Sequence, residues 1–183
     1  MDQRKAESVA KHFVAFHNSQ GGIHGTHSET PVRLLQEVYA KPFQAAISEA
    51  GLKGIMPCYC SINGEDVSAS HNMLTKLLRE DMGFEGMCIS DYGAVGNAHS
   101  VHHIGETFED AGLMCLSAGM DVEMPSVTGY NEKLKEMFRR GAADIKVLDT
   151  AVLRVLEGKF RMGLFENPFA MEGEELHSVV IND

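Results

Sequence analysis

Short apolar segments recur along this chain at a fixed interval, and polar or charged side chains stand at their ends. Tyr59, Asp91 and Glu123 each end such a segment, and 32 residues separate each of them from the next. A parallel (β/α)8 barrel spends about 250 residues on eight units, or roughly 31 residues on each. Helical patterns fill the intervals, which favours a parallel sheet with helices outside it. The interval therefore fits a barrel of this kind.

The chain holds about four such units, which is half of a barrel. We predict strands at 8–16, 54–59, 87–90 and 120–124. The 183 residues are enough for one domain with a core. Half a barrel leaves two sheet edges unpaired, so we expect either a fragment or a chain that another copy completes. Exposed edges also lead us to expect homo-oligomers or poor solubility.

Apolar periodicity predicts helices at 31–50, 72–82, 107–119, 131–140 and 144–162. In the first of these, Thr30 is predicted as the N-terminal cap and Pro42 as the site of a kink. In the last helix, five apolar side chains are predicted to point inward: Ile145, Leu148, Val152, Val155 and Leu156.

Asp91 is the strongest candidate for chemistry in this pattern. It ends the apolar segment 87–90. Burying an ionised carboxylate without a partner is costly, so a carboxylate at this position is expected to face a solvent-accessible cleft rather than the core. In parallel α/β proteins, catalytic groups lie at the C-terminal ends of the strands. The alternative is that Asp91 caps a helix or is a solvated loop carboxylate.

Composition excludes two classes of partner. The formal charge is −10, from 16 basic and 26 acidic side chains, which argues against binding a nucleic-acid backbone. No apolar run approaches the roughly 20 residues of a membrane span. The first residues, Met-Asp-Gln-Arg-Lys, show no apolar region of a signal peptide, and the location of the protein stays unknown.

Histidine spacing raises a metal hypothesis that the rest of the sequence does not support. His24-x-x-His27 and His99-x-x-His102-His103 have ligand-like spacing. Both groups lie in polar loops, without a cysteine partner and without a His-Glu-x-x-His helix. We therefore predict no metal site and no cofactor.

The four cysteines are predicted as small buried side chains in a reducing compartment. Cys58 and Cys60 would share one face of a strand, which is too poor a pattern for a zinc site. Cys88 and Cys115 stand alone in the sequence.

An ordered series of short motifs resembles glycoside hydrolase family 3, in its β-glucosidase and β-xylosidase branch. The match covers roughly residues 8–169 and corresponds to the second half of the family's N-terminal catalytic barrel. The series includes Lys11-His12-Phe13, Glu37-Val-Tyr-x-x-Pro-Phe43, Met56-x-x-Tyr59, Asn63-Gly64, Gly83-Phe84-x-Gly86, Ser90-Asp91-Tyr92, Ala118-Gly119-x-Asp121 and Lys159-Phe-Arg-x-Gly-Leu-Phe165.

The resemblance makes the expected fold class α/β, the C-terminal half of a (β/α)8 TIM-type barrel with about four parallel strands and outer helices. It implies that 1–169 is a partial N-terminal barrel domain. It also implies that 170–183 is a linker toward a second domain that this chain does not contain. Many members of the family are exported. The first residues of this chain give no evidence for or against its export.

The resemblance also implies roles for five residues. Asp91 would be the nucleophile that forms a covalent glycosyl-enzyme in a retaining mechanism. Lys11 and His12 would hydrogen-bond sugar hydroxyls, while Tyr59 would sit beside the nucleophile and Met56 would line the pocket. A nearby lysine would keep the carboxylate ionised by charge proximity.

Glu123 enters the set of substrate-binding candidates only through its place at a strand end. Asp121, two residues before it, would bond backbone groups at the barrel rim.

Some parts of the family pattern lie outside this chain or differ in it. Retaining hydrolysis needs a second carboxyl group about 5–5.5 Å from the first, and in most of the family this is a glutamate on a following domain. The N-acetylglucosaminidase branch uses a His-Asp pair instead, but the loop 17–29 has His24 and His27 without an aspartate, so that role is not transferred. Cys60 stands where the family commonly has asparagine.

The function expected from these residues is that of a retaining β-glycosidase, present here as a fragment. It would hydrolyse terminal β-D-glucosyl or β-D-xylosyl residues of small oligosaccharides or aryl glycosides. The alternative is a truncated remnant without the acid/base group, which at most binds sugar.

Overall fold

A three-stranded parallel sheet lies at the centre of the computed structural model, which describes residues 6–169. Its strands are β1 (Val9–Phe13), β2 (Gly54–Pro57) and β5 (Met87–Cys88), with β2 in the middle. The predicted linker 170–183 lies outside the described residues. Because all three strands run the same way, the residues that follow them meet at one edge of the sheet.

The predicted fourth strand at 120–124 is reduced to a single parallel bridge between Ile89 and Val122. The N–H groups of Asp121 and Val122 both donate to the carbonyl of Cys88, at 2.9 and 3.2 Å, so pairing is irregular here. The segment nevertheless lies beside β5 in the order expected of a barrel. The α/β architecture with parallel strands and outer helices agrees with a partial TIM-type barrel.

A short antiparallel hairpin follows β2 and forms a separate two-stranded sheet. Its strands are β3 (Ser61–Ile62) and β4 (Glu65–Asp66). The turn between them is Asn63-Gly64, with φ of 51° and 89°, and Asn-Gly is a favoured pair for two-residue hairpin turns that need positive φ.

Helices occupy most of the remaining chain. The α-helices are α1 (Val32–Leu34), α2 (Lys41–Ser48), α3 (Ala94–Ser100), α4 (Phe108–Ala118), α5 (Glu132–Arg139) and α6 (Ile145–Arg161). Two π-helical segments span Leu35–Tyr39 and Asn72–Asp81, and 3-10 turns span Phe16–Asn18, Gln20–Gly22 and Val67–Ala69. The short helix α3 was not predicted from the sequence. Across the described range, none of the helices has the length and apolar character needed to cross a membrane.

Two expectations for the first helix were wrong. Thr30 does not cap it; its side chain joins Asn18 and Ser28 instead, and Pro31 occupies the cap position. Pro42 does not kink it in mid-course, because α2 begins at Lys41 and places the proline in its first turn. A proline is tolerated there, since the N–H groups of a first turn have no intrahelical partner.

The core lies between the sheet and the helices. Its largest fully buried side chains include Phe13, Phe84, Ile55, Ile62, Leu74 and Leu78.

Helix α6 departs from the predicted inward face. Ala151 and Gly158 are its buried residues, whereas Ile145 and Val152 are 50% and 46% exposed. The helix approaches the sheet closely at Gly158, where an added Cβ would lie 3.1 Å from Met87 Cε. Its larger apolar side chains line an open groove against α5, because nothing within 6–169 covers them.

Candidate active site

Asp91 lies just beyond β5, at the edge of the sheet where the parallel strands end. It is buried, with 12% of its side chain exposed. One carboxylate oxygen, Oδ1, accepts a hydrogen bond from the backbone N–H of Tyr92 at 2.7 Å. The other, Oδ2, lies 3.1 Å from His12 Nε2. Both oxygens are therefore oriented by protein groups, and the carboxylate is held at the position that the sequence predicted.

His12 reaches Asp91 from β1, two strands away across the sheet. Burial lowers the pKa of His12, and the charges of Lys11 and His24 lower it further, while Asp91 acts in the opposite direction. The imidazole is therefore neutral at pH 7, and the contact with Asp91 places its Nε2–H toward the carboxylate.

Tyr59 follows β2, the strand between the other two. Its hydroxyl donates to the backbone carbonyl of Tyr92 at 2.8 Å and lies within hydrogen-bonding reach of Asp91. Burial raises the pKa of Tyr59 to about 12, and the neighbouring Asp91 contributes to the rise. The phenol is thus a hydrogen-bond donor at neutral pH, beside the candidate nucleophile.

Lys11 and Met56 are register partners on β1 and β2, so they lie side by side across the sheet. Lys11 is exposed and Met56 is half-buried. Within 6–169 the ammonium of Lys11 makes no ion pair with Asp91, and its influence is seen on the pKa of His12. The structure brings His12 and Tyr59 to Asp91 and leaves Lys11 free to meet a ligand at the same edge.

Glu123 has a different environment from the other candidates. Its carboxylate accepts the backbone N–H groups of Thr128, Gly129 and Tyr130 at 2.8–3.1 Å, and so holds the loop before α5. Its assignment to substrate binding stays a prediction. The contacts show that the carboxylate stabilises the loop that contains Thr128, Gly129 and Tyr130.

Two aromatic side chains at the site were not selected from the sequence. The ring of His24 lies 4.6 Å from that of Tyr59 and 5.2 Å from that of Phe16. Phe16 in turn lies 4.9 Å from His12. The sequence showed only that both residues follow the Lys-His pair. Whether their rings come together at the site depends on how the loop 17–29 folds back.

His102 contacts the backbone of a residue of the candidate site. Its Nε2 donates to the backbone carbonyl of Tyr59 at 2.8 Å, across 43 residues of sequence. His102 was considered only as a metal ligand from its spacing. Within 6–169, no three His, Cys, Asp or Glu side chains are grouped so that they could hold a metal ion.

Asp121 lies beneath the strand ends and is buried completely. It accepts the backbone N–H of Cys88 at 2.8 Å, as expected of a residue that bonds backbone groups. It also pairs with Arg79 and Arg154, each at 2.8 Å, which the sequence did not indicate. This network holds β5 in place just before Asp91.

An apolar groove of the structure does not coincide with this site. It measures about 530 Å3, lies between α5 and α6, and has a mostly apolar lining that contains neither Asp91 nor Tyr59. We therefore place the candidate site by its side-chain chemistry rather than by enclosed volume.

Residues 1–157 match the family model described as the glycosyl hydrolase family 3 N-terminal domain. A β-xylosidase of Formosa agariphila is 33% identical over 171 residues, which cover 90% of this chain and 24% of the relative. A lysosomal β-glucosidase of Dictyostelium discoideum is 32% identical over 165 residues, covering 90% of this chain and 20% of the relative. The chain therefore spans about a quarter or less of the length of these relatives.

Solved structures give the same correspondence. A β-glucosidase from Erythrobacter marinus matches with a TM-score of 0.86 and 35% identity, over 90% of this chain and 22% of its own. A β-glucosidase from Listeria innocua in complex with glucose matches with a TM-score of 0.82 and 31% identity, over 88% and 22% of the two chains.

Proposed function

The chain belongs to glycosyl hydrolase family 3, and we propose that it is the nucleophile-bearing part of a retaining β-glycosidase. Its substrates would carry a terminal non-reducing β-D-glucosyl or β-D-xylosyl residue. Relatives named β-glucosidase and β-xylosidase support this class of substrate. The second carboxyl group that retention requires would come from outside the residues of this chain.

The observation that carries the proposal is the environment of Asp91. The carboxylate lies at the end of a buried parallel strand, with Tyr92 N–H on Oδ1 and His12 Nε2 on Oδ2. A nucleophile needs a fixed position opposite the anomeric carbon, because a displacement of about 1 Å can cost about 100-fold in rate. Two separate donors restrict the movement of the Asp91 carboxylate, which supports the proposal.

In the proposed reaction, one oxygen of Asp91 attacks the anomeric carbon of the sugar. The carbon–oxygen bond to the leaving group breaks as the bond to Asp91 forms, and the leaving oxygen takes a proton from the acid/base group. Water then attacks the same carbon, returns Asp91 to its carboxylate form and gives up a proton to the acid/base group. Positive charge develops on the sugar in both steps, and a carboxylate stabilises it.

Sugar recognition in this proposal falls to the strand ends around Asp91. Lys11 would donate to ring hydroxyls and so position the sugar opposite Asp91. His12, whose Nε2–H is directed at Asp91, would accept from a hydroxyl at Nδ1. Met56 would provide an apolar contact for the ring, and the phenol oxygen of Tyr59, whose proton is donated to the Tyr92 carbonyl, would accept a hydrogen bond beside the nucleophile. The Listeria innocua β-glucosidase has been solved with glucose, gluconolactone and laminaribiose, which supports a β-glucosyl ligand.

The test is Asp91→Asn in the complete protein, with release of p-nitrophenol from the β-glucoside and the β-xyloside as the measurement. Turnover should fall by about 10⁴-fold, because asparagine is not a nucleophile in this reaction. Asp149→Asn, which makes the same change on an exposed face of α6, should keep wild-type turnover. Turnover near wild type in the Asp91 variant would contradict the proposal.

A trapping experiment examines the covalent intermediate directly. A 2-deoxy-2-fluoro-β-glucosyl fluoride should leave its sugar on the peptide that contains Asp91. The 2-fluoro group slows both steps, whereas the good fluoride leaving group keeps the first step fast enough for the intermediate to accumulate. Mass spectrometry of the digested protein locates the added sugar. Label on any other residue would show that the nucleophile lies elsewhere.

The alternative proposal is a sugar-binding remnant without hydrolytic activity. Calorimetry with glucose, taken together with the p-nitrophenol assay, separates the two proposals, because both predict glucose binding and only the first predicts that the complete protein hydrolyses a glycoside.

A further inference from the structure

The helix that follows Asp91 leads to a histidine that returns to the candidate site. Helix α3 begins at Ala94, just after Asp91, and its last turn runs into His102. The Nε2 atom of His102 donates to the backbone carbonyl of Tyr59 at 2.8 Å. The Tyr59 hydroxyl donates to the backbone carbonyl of Tyr92, also at 2.8 Å. Tyr59 is therefore joined to both ends of the segment 92–102, and the contacts form a closed ring.

The peptide unit between Tyr92 and Gly93 is held from both sides. Its carbonyl accepts the hydroxyl of Tyr59, and its N–H donates to the carbonyl of Met124 at 2.9 Å. The preceding N–H, that of Tyr92, donates to Asp91 Oδ1 at 2.7 Å. The orientation of the Asp91 carboxylate therefore depends on a stretch of backbone that the Tyr59 hydroxyl helps to hold.

Helix α3 has little freedom to move between the two ends of this ring. Most of its residues are buried, including Val95 and Ala98. A Cβ added at Gly96 would lie 3.1 Å from the Thr128 side chain, which shows how closely the helix packs there. A helix packed at this density cannot shift without displacing its neighbours. It therefore holds His102 at a fixed position relative to the start of the helix.

The end of α3 fixes the backbone around the imidazole. The N–H of His102 donates to the carbonyl of Asn97 at 3.0 Å, and the N–H of Ile104 donates to that of Ala98 at 2.9 Å. Between them, His103 has a φ of 56°, the left-handed conformation that commonly ends a helix. The backbone is therefore held on both sides of the His102 side chain.

The contact between His102 and Tyr59 has a defined direction. A carbonyl oxygen only accepts, so Nε2 must carry a proton, as it does in one neutral tautomer and in the charged ring. In the part of the chain that the structure describes, no backbone N–H donates to the Tyr59 carbonyl. The imidazole thus satisfies a carbonyl that the sheet leaves without a backbone partner.

We propose that His102 is a positioning residue for the glycosidase reaction. By holding the Tyr59 backbone, it keeps the Tyr59 hydroxyl on the Tyr92 peptide and so fixes the Asp91 carboxylate opposite the sugar. The inference rests on the proposed function, because it gives His102 a role in the reaction of Asp91. His102 acts through Tyr59 and Tyr92 rather than by touching the sugar.

Two substitutions separate the hydrogen bond from the volume of the ring. His102→Gln keeps an N–H donor at a similar distance from the backbone, whereas His102→Leu removes the donor and stays large. His102→Asn, whose amide is too short to reach, serves as the second variant without the bond if the leucine variant does not fold. His99→Leu is the matched control, since it removes the contact of another histidine with a carbonyl, that of Gly105 at 3.3 Å.

The first test is independent of hydrolysis. Hydrogen–deuterium exchange of the Tyr92 amide is measured in the complete protein by mass spectrometry with fragmentation to single residues. Exchange should be about 10-fold faster in His102→Leu, because the Tyr92 backbone and its bond to Asp91 loosen, and should return to the wild-type rate in His102→Gln. His99→Leu should leave it unchanged. A wild-type rate at Tyr92 in a folded variant without the donor would overturn the proposal.

The second test measures turnover of the p-nitrophenyl glycosides by the complete protein. In His102→Leu, kcat should fall by about 10-fold while KM changes by less than about 2-fold, because the sugar contacts proposed for Lys11 and His12 come from β1. His102→Gln should restore kcat, and His99→Leu should keep it. Equal losses of kcat in the glutamine and leucine variants would show that the hydrogen bond is not what matters.

A double-mutant cycle shows whether His102 acts through the Tyr59 hydroxyl. In a Tyr59→Phe background, His102→Leu should lower kcat by less than about 2-fold further, since the hydroxyl that it positions is gone. A full additional 10-fold loss would overturn the proposed route.

The outcomes also separate this inference from the proposed function. If the wild type hydrolyses glycosides and kcat is unchanged without the His102 donor, the role of His102 is wrong and the function stands. If the wild type hydrolyses neither glycoside, the proposed function fails and takes the role in the reaction with it. The exchange rate at Tyr92 then still decides whether His102 orders the backbone beside Asp91.

Discussion

Asp66 is a carboxylate buried in the short hairpin, away from the candidate site. The backbone N–H of Ser68 donates to Oδ1 at 3.0 Å, whereas Oδ2 has no hydrogen-bond partner within 6–169. Burial raises the pKa of Asp66 to about 6, against the opposing effects of His102 and Ser68. A rise of this size costs about 3 kcal/mol when the group is ionised.

The sign of this effect sets a pH window for stability. Because the pKa is raised in the folded state, Asp66 favours folding when it is protonated, below pH about 4. That contribution is lost as the pH rises through about 6. Between pH 4 and 7, the free energy of unfolding of the complete protein should therefore fall by about 2 kcal/mol relative to Asp66→Asn.

Urea unfolding at a series of pH values checks this prediction. Asp149→Asn, an exposed change of the same kind, should follow the wild type throughout. If the free energies of unfolding of the wild type and the Asp66 variant changed with pH in the same way, this carboxyl group would not titrate with a raised pKa.

At the level of elements, one buried ion network joins three parts of the fold. Arg79 belongs to the π-helical segment Asn72–Asp81 and Arg154 to α6, and both bind Asp121 at 2.8 Å. Asp121 also accepts the N–H of Cys88 in β5. The segment that leads to Asp91 is therefore tied to two helices by groups that are distant in sequence.

Arg79→Met should destabilise the complete protein by about 3 kcal/mol, because it leaves Asp121 buried with one cation fewer. Arg79 is 8% exposed, so water cannot replace it readily. Chemical denaturation measures the loss. Arg33→Met, which breaks an exposed ion pair with Glu37, should change stability by less than about 0.5 kcal/mol.

At the scale of the whole molecule, the described residues leave surfaces that a complete barrel would cover. Within 6–169 no strand pairs with the outer edge of β1, and the far side of Val122 is equally free. Leu153 of α6 and Phe160 near its end are 56% and 60% exposed. An unpaired sheet edge and exposed apolar side chains both favour association.

The isolated chain of 183 residues should therefore self-associate, as the sequence led us to expect. Light scattering coupled to size-exclusion chromatography should give a mass that rises with concentration. The complete protein, in which the missing wall would be present, should show no such rise under the same conditions. A stable monomer of the isolated chain would contradict this prediction.

The sequence predicted the parts of the fold that depend on local pattern. The parallel strands at 9–13, 54–57 and 87–88 fall within the predicted segments, and α4 falls within the helix predicted at 107–119, with Thr107 forming a capping box at its start. These features follow from side chains close together in the chain. The inward face predicted for α6 was wrong, because amphipathic spacing does not say whether a partner surface exists.

By itself, the sequence determined the three parallel strands with helices between them, the family and the position of Asp91 at a strand end. Only the tertiary structure decided that His12 and Tyr59 both reach this carboxylate, that His24 stands against Tyr59, and that the Glu123 carboxylate holds a loop. The physical reason is separation along the chain. Contacts between side chains tens of residues apart depend on how the strands and loops pack, and no local pattern records that packing.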